Sequence, residues 1–191
     1  MEEKAPSATP LEYEITTIDK NHNVSSFSCG HRDLDRFLRK DAPKKNKLHK
    51  ERVKVALNSE NRVLGFYSLK LSSVPTQNAT SLHKNKTSGY PNNTFPVIEL
   101  SYLAVDKEYQ HGANGNNYRL GEALLIEAVC DSATIIELAA AYAIHLEAID
   151  QNAESFFERY QFERYTKCSR RLMLLPADSA LQVKQELEKL P

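Results

Sequence analysis

The run FPVIELSYLAVD at residues 95–106 constrains this chain more than any other stretch. Its apolar residues fall on both faces of an extended strand, so both faces need cover from water. The next segment, KEYQHGANGNNYRLGEA, carries Gly112, Gly115 and Gly121 with Asn114, Asn116 and Asn117. Beyond it Leu120, Leu124, Leu125, Ala128, Val129 and Ile136 recur at helical spacing, predicting a helix from about Arg119 to about Ala139. A buried strand that passes through a glycine-rich loop into a long helix implies helices packed on a sheet. The expected class is mixed α/β (α+β).

The flanking sequence supplies the other elements. LEYEITTI (11–18) alternates and is rich in β-formers, while RVKVAL (52–57) and VLGFYSLKLSSV (63–74) straddle the turn NSENR as a hairpin. In RDLDRFLRKDA (32–42), Leu34, Phe37 and Leu38 share a helix face, and Pro43 is expected to stop that helix. Residues 75–95 are polar and read as a long loop. AYAIHLEAI (141–149) and SRRLMLLP (169–176) read as strands and NAESFFERY (152–160) as a short helix. A chain of 191 residues, 41% hydrophobic, suits one domain with its own core. The expected organisation is a flexible arm at 1–10, the domain at 11–176, and a solvated helix or tail at 177–191.

Charge and cysteine content narrow the function classes. Lys+Arg and Asp+Glu both number 25, so overall charge selects no polyanionic partner. Locally, Lys44, Lys45, Lys47, Lys50, Arg52 and Lys54 surround one acid, Glu51. That cluster either grips a nucleic-acid backbone or forms a solvated loop and strand edge. Three scattered cysteines make neither a disulfide framework nor a zinc site, which fits a reduced, cytoplasmic setting. The N-terminus is polar without an export signal, and no run approaches the roughly 18 apolar residues of a membrane span. The six histidines lack metal-ligand spacing, so no metal is expected. His145, between Ile144 and Leu146, reads as a partly buried structural residue.

A strand that enters a helix through a glycine-rich turn gathers unpaired backbone N–H groups at the positive end of a dipole. The loop before Leu120 is therefore either a phosphate cradle or an ordinary surface loop. No GxxxxGK[ST], no GxGxxG opening a helix after the first strand, and no GxSxG are present, which disfavours nucleotidase, dinucleotide and serine-hydrolase readings.

Taken in order, LSYLAVDKEYQ, RLGEALLIEAV and LEAIDQNAESFFERYQF resemble the motif series of the GNAT family of N-acetyltransferases. Upstream, FSCGHRDLDRFLRKDA and KERVKVALNSENRVLGFYSL resemble the toxin-type members found in toxin–antitoxin pairs. The resemblance covers roughly residues 11 to 176. It implies a central splayed, mostly antiparallel mixed sheet flanked by helices, and transfer of acetyl from acetyl-CoA to a primary amine. The amine of an aminoacyl-tRNA is the favoured acceptor; a protein or small-molecule amine is the alternative. A cognate antitoxin and a homodimer are further implied partners. By the same resemblance, Leu103, Ala104 and Val105 pair with the pantetheine arm. Gln110, Arg119, Leu120, Gly121, Glu122 and Ala123 hold the pyrophosphate, and Asn152, Ser155 and Phe156 flank the thiol end.

Departures from the pattern matter as much. The loop is longer than the family's usual Q-G-x-G-x-G, and Arg119 stands where a glycine is usual. Phe157 replaces the tyrosine that serves as general acid, and Gln161 replaces a glycine. Phe157 donates no proton, which leaves three readings: an inactivated variant, an enzyme that uses Tyr160 or water instead, or a CoA-binding module that has lost catalysis. Glu99 lies where family members often carry a base; the bland reading is a solvated carboxylate on the strand. Cys29 and Gly30 read as a turn before the first helix.

Overall fold

The apolar run becomes strand β4 (Thr94–Val105), and its burial follows its composition: Phe95, Val97, Ile98, Leu100, Ala104 and Val105 are all buried. The computed structural model describes residues 11–78, 87–166 and 169–189; the arm at 1–10 and Cys168 lie outside them. The other strands are β1 (Glu14–Thr17), β2 (Arg52–Leu57), β3 (Val63–Pro75), β5 (Ala143–Glu147), β6 (Glu163–Arg164) and β7 (Leu172–Pro176). They form a seven-stranded sheet in the order β1-β2-β3-β4-β5-β7-β6. The sheet is mixed. β4 and β5 run parallel, whereas β1–β2, β5–β7 and β6–β7 are antiparallel. The helices are α1 (Arg32–Arg36), α2 (Ala42–Lys47), α3 (Leu120–Ala139), α4 (Gln151–Glu158) and α5 (Ala177–Glu188). This is the α+β class expected from the sequence.

Two compact units divide the chain: Met1–Ser68 with Tyr102–Leu125, and Leu69–Ser101 with Ile126–Pro191. In the first, Phe27, Phe37, Leu38, Val53, Val55, Phe66 and Ala104 share one core. The Phe66 ring meets Phe27 edge-on at 5.6 Å, and Phe37 stacks on Tyr102 at 4.0 Å. Gly65 is a packing glycine, because a Cβ there would come 2.7 Å from Leu124 Cδ1 and 3.0 Å from the Ala104 carbonyl. Buried Asp35 accepts the Cys29 N–H at 2.8 Å, and Gly30 adopts φ +94°, which fixes the turn before α1.

Pro43 does not stop the first helix. A π-helical turn (Phe37–Asp41) follows α1, with the Ala42 N–H reaching back to the Phe37 carbonyl. Pro43 then sits in the first turn of α2, where a missing N–H costs nothing. The helical path therefore continues to Lys47.

In the second unit Val74, Phe95, Val97, Ala143, Tyr165, Leu172 and Leu174 form a core, with Tyr90 and Tyr142 packed against it. Asp150 caps α4 by accepting the Ala153 N–H at 2.8 Å. After α4 the chain turns at Gln161, whose φ of +65° is the left-handed angle that favours glycine. The tail is the helix α5, and it is docked along one side: Ala180 is buried and Lys184 pairs with Glu137 at 2.6 Å. The polar stretch after β3 contains short 3₁₀ turns at Thr76–Asn78 and Pro91–Asn93 among its described residues.

Candidate active site

The loop after β4 is rooted before it begins to wander. Asp106 is buried and accepts the Ser28 and Glu108 N–H groups, both at 3.0 Å. Gln110 donates from Nε2 to the Cys29 and Val105 carbonyls, each at 3.0 Å. Its carboxamide therefore ties the loop to the strand and leaves no side-chain donor aimed outward. The extra residues close on themselves. The Gly112 N–H bonds the Asn116 carbonyl at 2.9 Å, Ala113 bonds Gln110, and Asn116 bonds Ala113. Gly112, Asn114 and Gly115 all take positive φ in this turn. Three backbone bonds thus fold the insertion onto itself, and Tyr109 stacks with Tyr118 across it at 6.1 Å.

The N-terminus of α3 follows directly. Its first intrahelical bond runs from the Ala123 N–H to the Arg119 carbonyl at 3.1 Å. The N–H groups of Leu120, Gly121 and Glu122 lack a partner among the described residues, as the first turn of a helix dictates. Ala123 therefore does not join this donor set through its backbone. Leu120 is buried and anchors the turn. A Cβ at Gly121 would meet only Val105 Cγ2, at an ordinary 3.6 Å, so packing does not demand glycine there. Arg119 is exposed and pairs with Glu122 at 2.9 Å, which neutralises the one acid in this turn. Pairing of β4 with β5 covers Val97–Glu99 only, so Leu103, Ala104 and Val105 lie beyond that register.

The second unit holds the residues expected near the thiol. On α4, Asn152 and Ser155 are exposed and three positions apart, hence on one face. Phe157 is buried, with its ring 5.2 Å from Phe156 and 5.6 Å from Phe162. Tyr160 is half-buried, and its ring lies 5.3 Å from Phe156. The Tyr160 ring is thus held against Phe156, the ring that Phe157 also meets.

Glu99 is committed to an ion pair with Lys70 at 2.9 Å, and Ser101 Oγ lies 3.3 Å from its carboxylate. Burial alone would raise its pKa; the Lys70 ammonium and the Ser72 hydroxyl outweigh that and hold it below the usual value. Its strand neighbour in register is His145. His145 Nε2 lies 3.1 Å from the Tyr165 hydroxyl, while its buried Nδ1 has no hydrogen-bond partner among the described residues. Burial pushes the imidazole pKa down, against a smaller upward pull from Glu99 and Glu147.

The basic run is less uniform than its sequence suggests. Lys44, Lys47, Lys50 and Arg52 are exposed. Lys45 turns inward, with Nζ 2.6 Å from buried Glu51 and 5.0 Å from the Phe37 ring centre, so it is not a free cation. Lys54 is half-buried on β2. The structure adds cations that the sequence reading passed over: Arg32, Arg36, Arg39 and Lys40 line, with Asp33, an open cavity of about 600 Å³. Their near four-residue spacing was readable as one helix face.

No family model matches the chain. A curated relative from Mycobacterium tuberculosis, a tRNA-acetylating toxin, is 31% identical over 162 residues, covering 85% of this chain and 91% of the relative. The fold matches the structure of AtaT complexed with acetyl-methionyl-tRNAfMet at a TM-score of 0.76, with 21% identity, 94% of this chain and 100% of that chain covered. A Tyr-to-Phe mutant of AtaT, bound to the C-terminus of the antitoxin AtaR and acetyl-CoA, matches at 0.72 with 19% identity over 91% of this chain and 99% of that one.

Proposed function

We infer the function from the family: the chain belongs to the toxin-type GNAT N-acetyltransferases, and it transfers acetyl from acetyl-CoA to the amine of an aminoacyl-tRNA, which inhibits translation. The relative that carries this reading is the tRNA-acetylating toxin that matches along most of both chains. A cognate antitoxin is its natural partner, the cytoplasm its setting and a homodimer its form. Among the described residues no helix is long and apolar enough to cross a membrane.

The local chemistry supports the assignment. The pyrophosphate of acetyl-CoA is suited to the donors of Leu120, Gly121 and Glu122, with Arg119 able to leave Glu122 for a phosphate oxygen. Backbone of Leu103, Ala104 and Val105, beyond the β5 register, is suited to the amide groups of the pantetheine arm, save the Val105 carbonyl, which Gln110 holds. Asn152, Ser155 and Phe156 supply polar and aromatic contacts for the thioester end. Much of the acceleration comes from holding amine and thioester together. The departing thiolate takes its proton from Tyr160 or from water, because Phe157 has none to give. Cations on α1, the π turn and α2 (Arg32, Arg36, Lys40, Lys44, Lys47) form a track for the tRNA backbone, continued by Lys50 and Arg52.

The test is direct. Purified protein, labelled acetyl-CoA and a set of aminoacyl-tRNAs should yield N-acetyl-aminoacyl-tRNA. Transfer only to peptides or polyamines would remove the tRNA reading and leave the acetyltransferase one.

A further inference from the structure

His145 is a half-buried titratable group to which acetyl transfer has so far assigned no task. It sits on β5 with its Cα opposite Glu99 of β4 and Leu174 of β7. One ring nitrogen is engaged: Nε2 is 3.1 Å from the Tyr165 hydroxyl, and the two rings meet edge-on at 5.6 Å. The other nitrogen, Nδ1, is buried without a hydrogen-bond partner among the described residues. A buried polar atom left unsatisfied costs stability and calls for an explanation, of which a catalytic role is one. Glu99, the carboxylate expected to act as base, is instead spent on Lys70.

We propose that His145 Nδ1 is the proton acceptor for the amine of the acceptor substrate, with Tyr165 positioning the ring. This rests on the acetyl-transfer reading of the chain and adds to it the group that receives the proton. When Nε2–H donates to the Tyr165 oxygen, the free lone pair is on Nδ1, which is the tautomer a base requires. The amine nitrogen attacks the thioester carbonyl carbon, the new C–N bond forms, and the C–S bond breaks. The excess amine proton passes to Nδ1, and the CoA thiolate leaves with the sulfur electron pair. The imidazolium then returns its proton to solvent, while the thiolate is protonated from Tyr160 or water.

The charges that act on the imidazole come from its own strand and from three other segments. Glu99 on β4 and Glu147 on its own strand favour the imidazolium; Lys70 on β3 and Arg170 before β7 disfavour it. The facing β7 residue is apolar Leu174. Burial dominates and lowers the imidazole pKa, which favours the neutral ring that a base requires. Glu99 retains a role as the carboxylate that steadies the imidazolium once it forms.

The variant His145→Gln keeps a side-chain amide near Nε2 for Tyr165 and removes the titrating nitrogen. Single-turnover acetyl transfer to aminoacyl-tRNA should fall about 100-fold in kcat, the usual scale for loss of a general base. KM for acetyl-CoA should stay unchanged. In the wild type, the acid limb of the kcat profile should have its midpoint below the ordinary imidazole value, and it should vanish in His145→Gln. Tyr165→Phe should lower kcat less and keep the limb. As a check independent of the variants' folding, NMR titration of the wild-type imidazole should report the same midpoint. Wild-type kcat and an intact acid limb in His145→Gln would overturn the proposal while leaving acetyl transfer standing. No transfer by the wild type would overturn the functional reading itself.

Discussion

Gln110 and Val105 are joined by a hydrogen bond of 3.0 Å from the carboxamide to the carbonyl at the end of β4. The same nitrogen holds the Cys29 carbonyl, so one side chain pins the root of the loop to two segments. Its role follows from what it touches: it holds the loop and does not reach for a phosphate. Gln110→Ala should lower stability by about 1–2 kcal/mol, the net worth of two such bonds. It should also raise KM for acetyl-CoA several-fold with kcat little altered, measured by denaturant melts and steady-state kinetics.

Gly121 separates fold from ligand. Its helical backbone and open surroundings tolerate a methyl group, since the nearest atom would be 3.6 Å away. Gly121→Ala should therefore melt at or slightly above the wild-type temperature. If the pyrophosphate rests on this turn, the same methyl should weaken acetyl-CoA binding about tenfold by blocking close backbone approach. Calorimetry on both proteins reads the two effects independently.

Phe157 lies among Phe156 and Phe162, at the position where the resemblance to the family leads one to expect a tyrosine. Phe157→Tyr should raise kcat by roughly tenfold or more by adding a general acid, with KM for acetyl-CoA unchanged. Tyr160→Phe in the wild-type background should reduce kcat if Tyr160 protonates the thiolate. Rapid-quench measurement of acetyl transfer distinguishes these outcomes from an effect on product release.

The cations of α1 and the π turn predict a salt-sensitive substrate effect. Arg36→Glu with Lys40→Glu should raise KM for aminoacyl-tRNA about tenfold at low salt, and the gap should narrow as salt rises. KM for acetyl-CoA should not move. Equal loss toward a small amine acceptor would contradict a backbone-gripping role.

Gln161 occupies a left-handed position at the end of α4, where φ is +65°. Gln161→Gly should stabilise the protein by about 1 kcal/mol by relieving that angle. A melt unchanged or lowered would mean that the Gln161 side chain compensates the strain.

These relationships were unequally visible in the sequence. Continuous apolar stretches and helical periodicity located β4, β5 and α3, because burial writes itself directly into composition. The first helix was misjudged at Pro43, since a proline blocks a helix interior but suits a first turn, and the π turn ahead of it leaves no periodic signal. Lys45 looked like one of six equal cations; only the fold brings buried Glu51 and the Phe37 ring to it. The arginines on α1 were legible by spacing and were passed over. The contact of His145 with Tyr165 spans twenty positions and depends on β5 lying beside β7, so no local pattern announces it.

The most direct measurement is acetyl transfer from labelled acetyl-CoA to a panel of aminoacyl-tRNAs, with products resolved as N-acetyl-aminoacyl species. The account predicts label on the α-amine of at least one aminoacyl-tRNA and none on uncharged tRNA. Tight acetyl-CoA binding with no label on any aminoacyl-tRNA would contradict it.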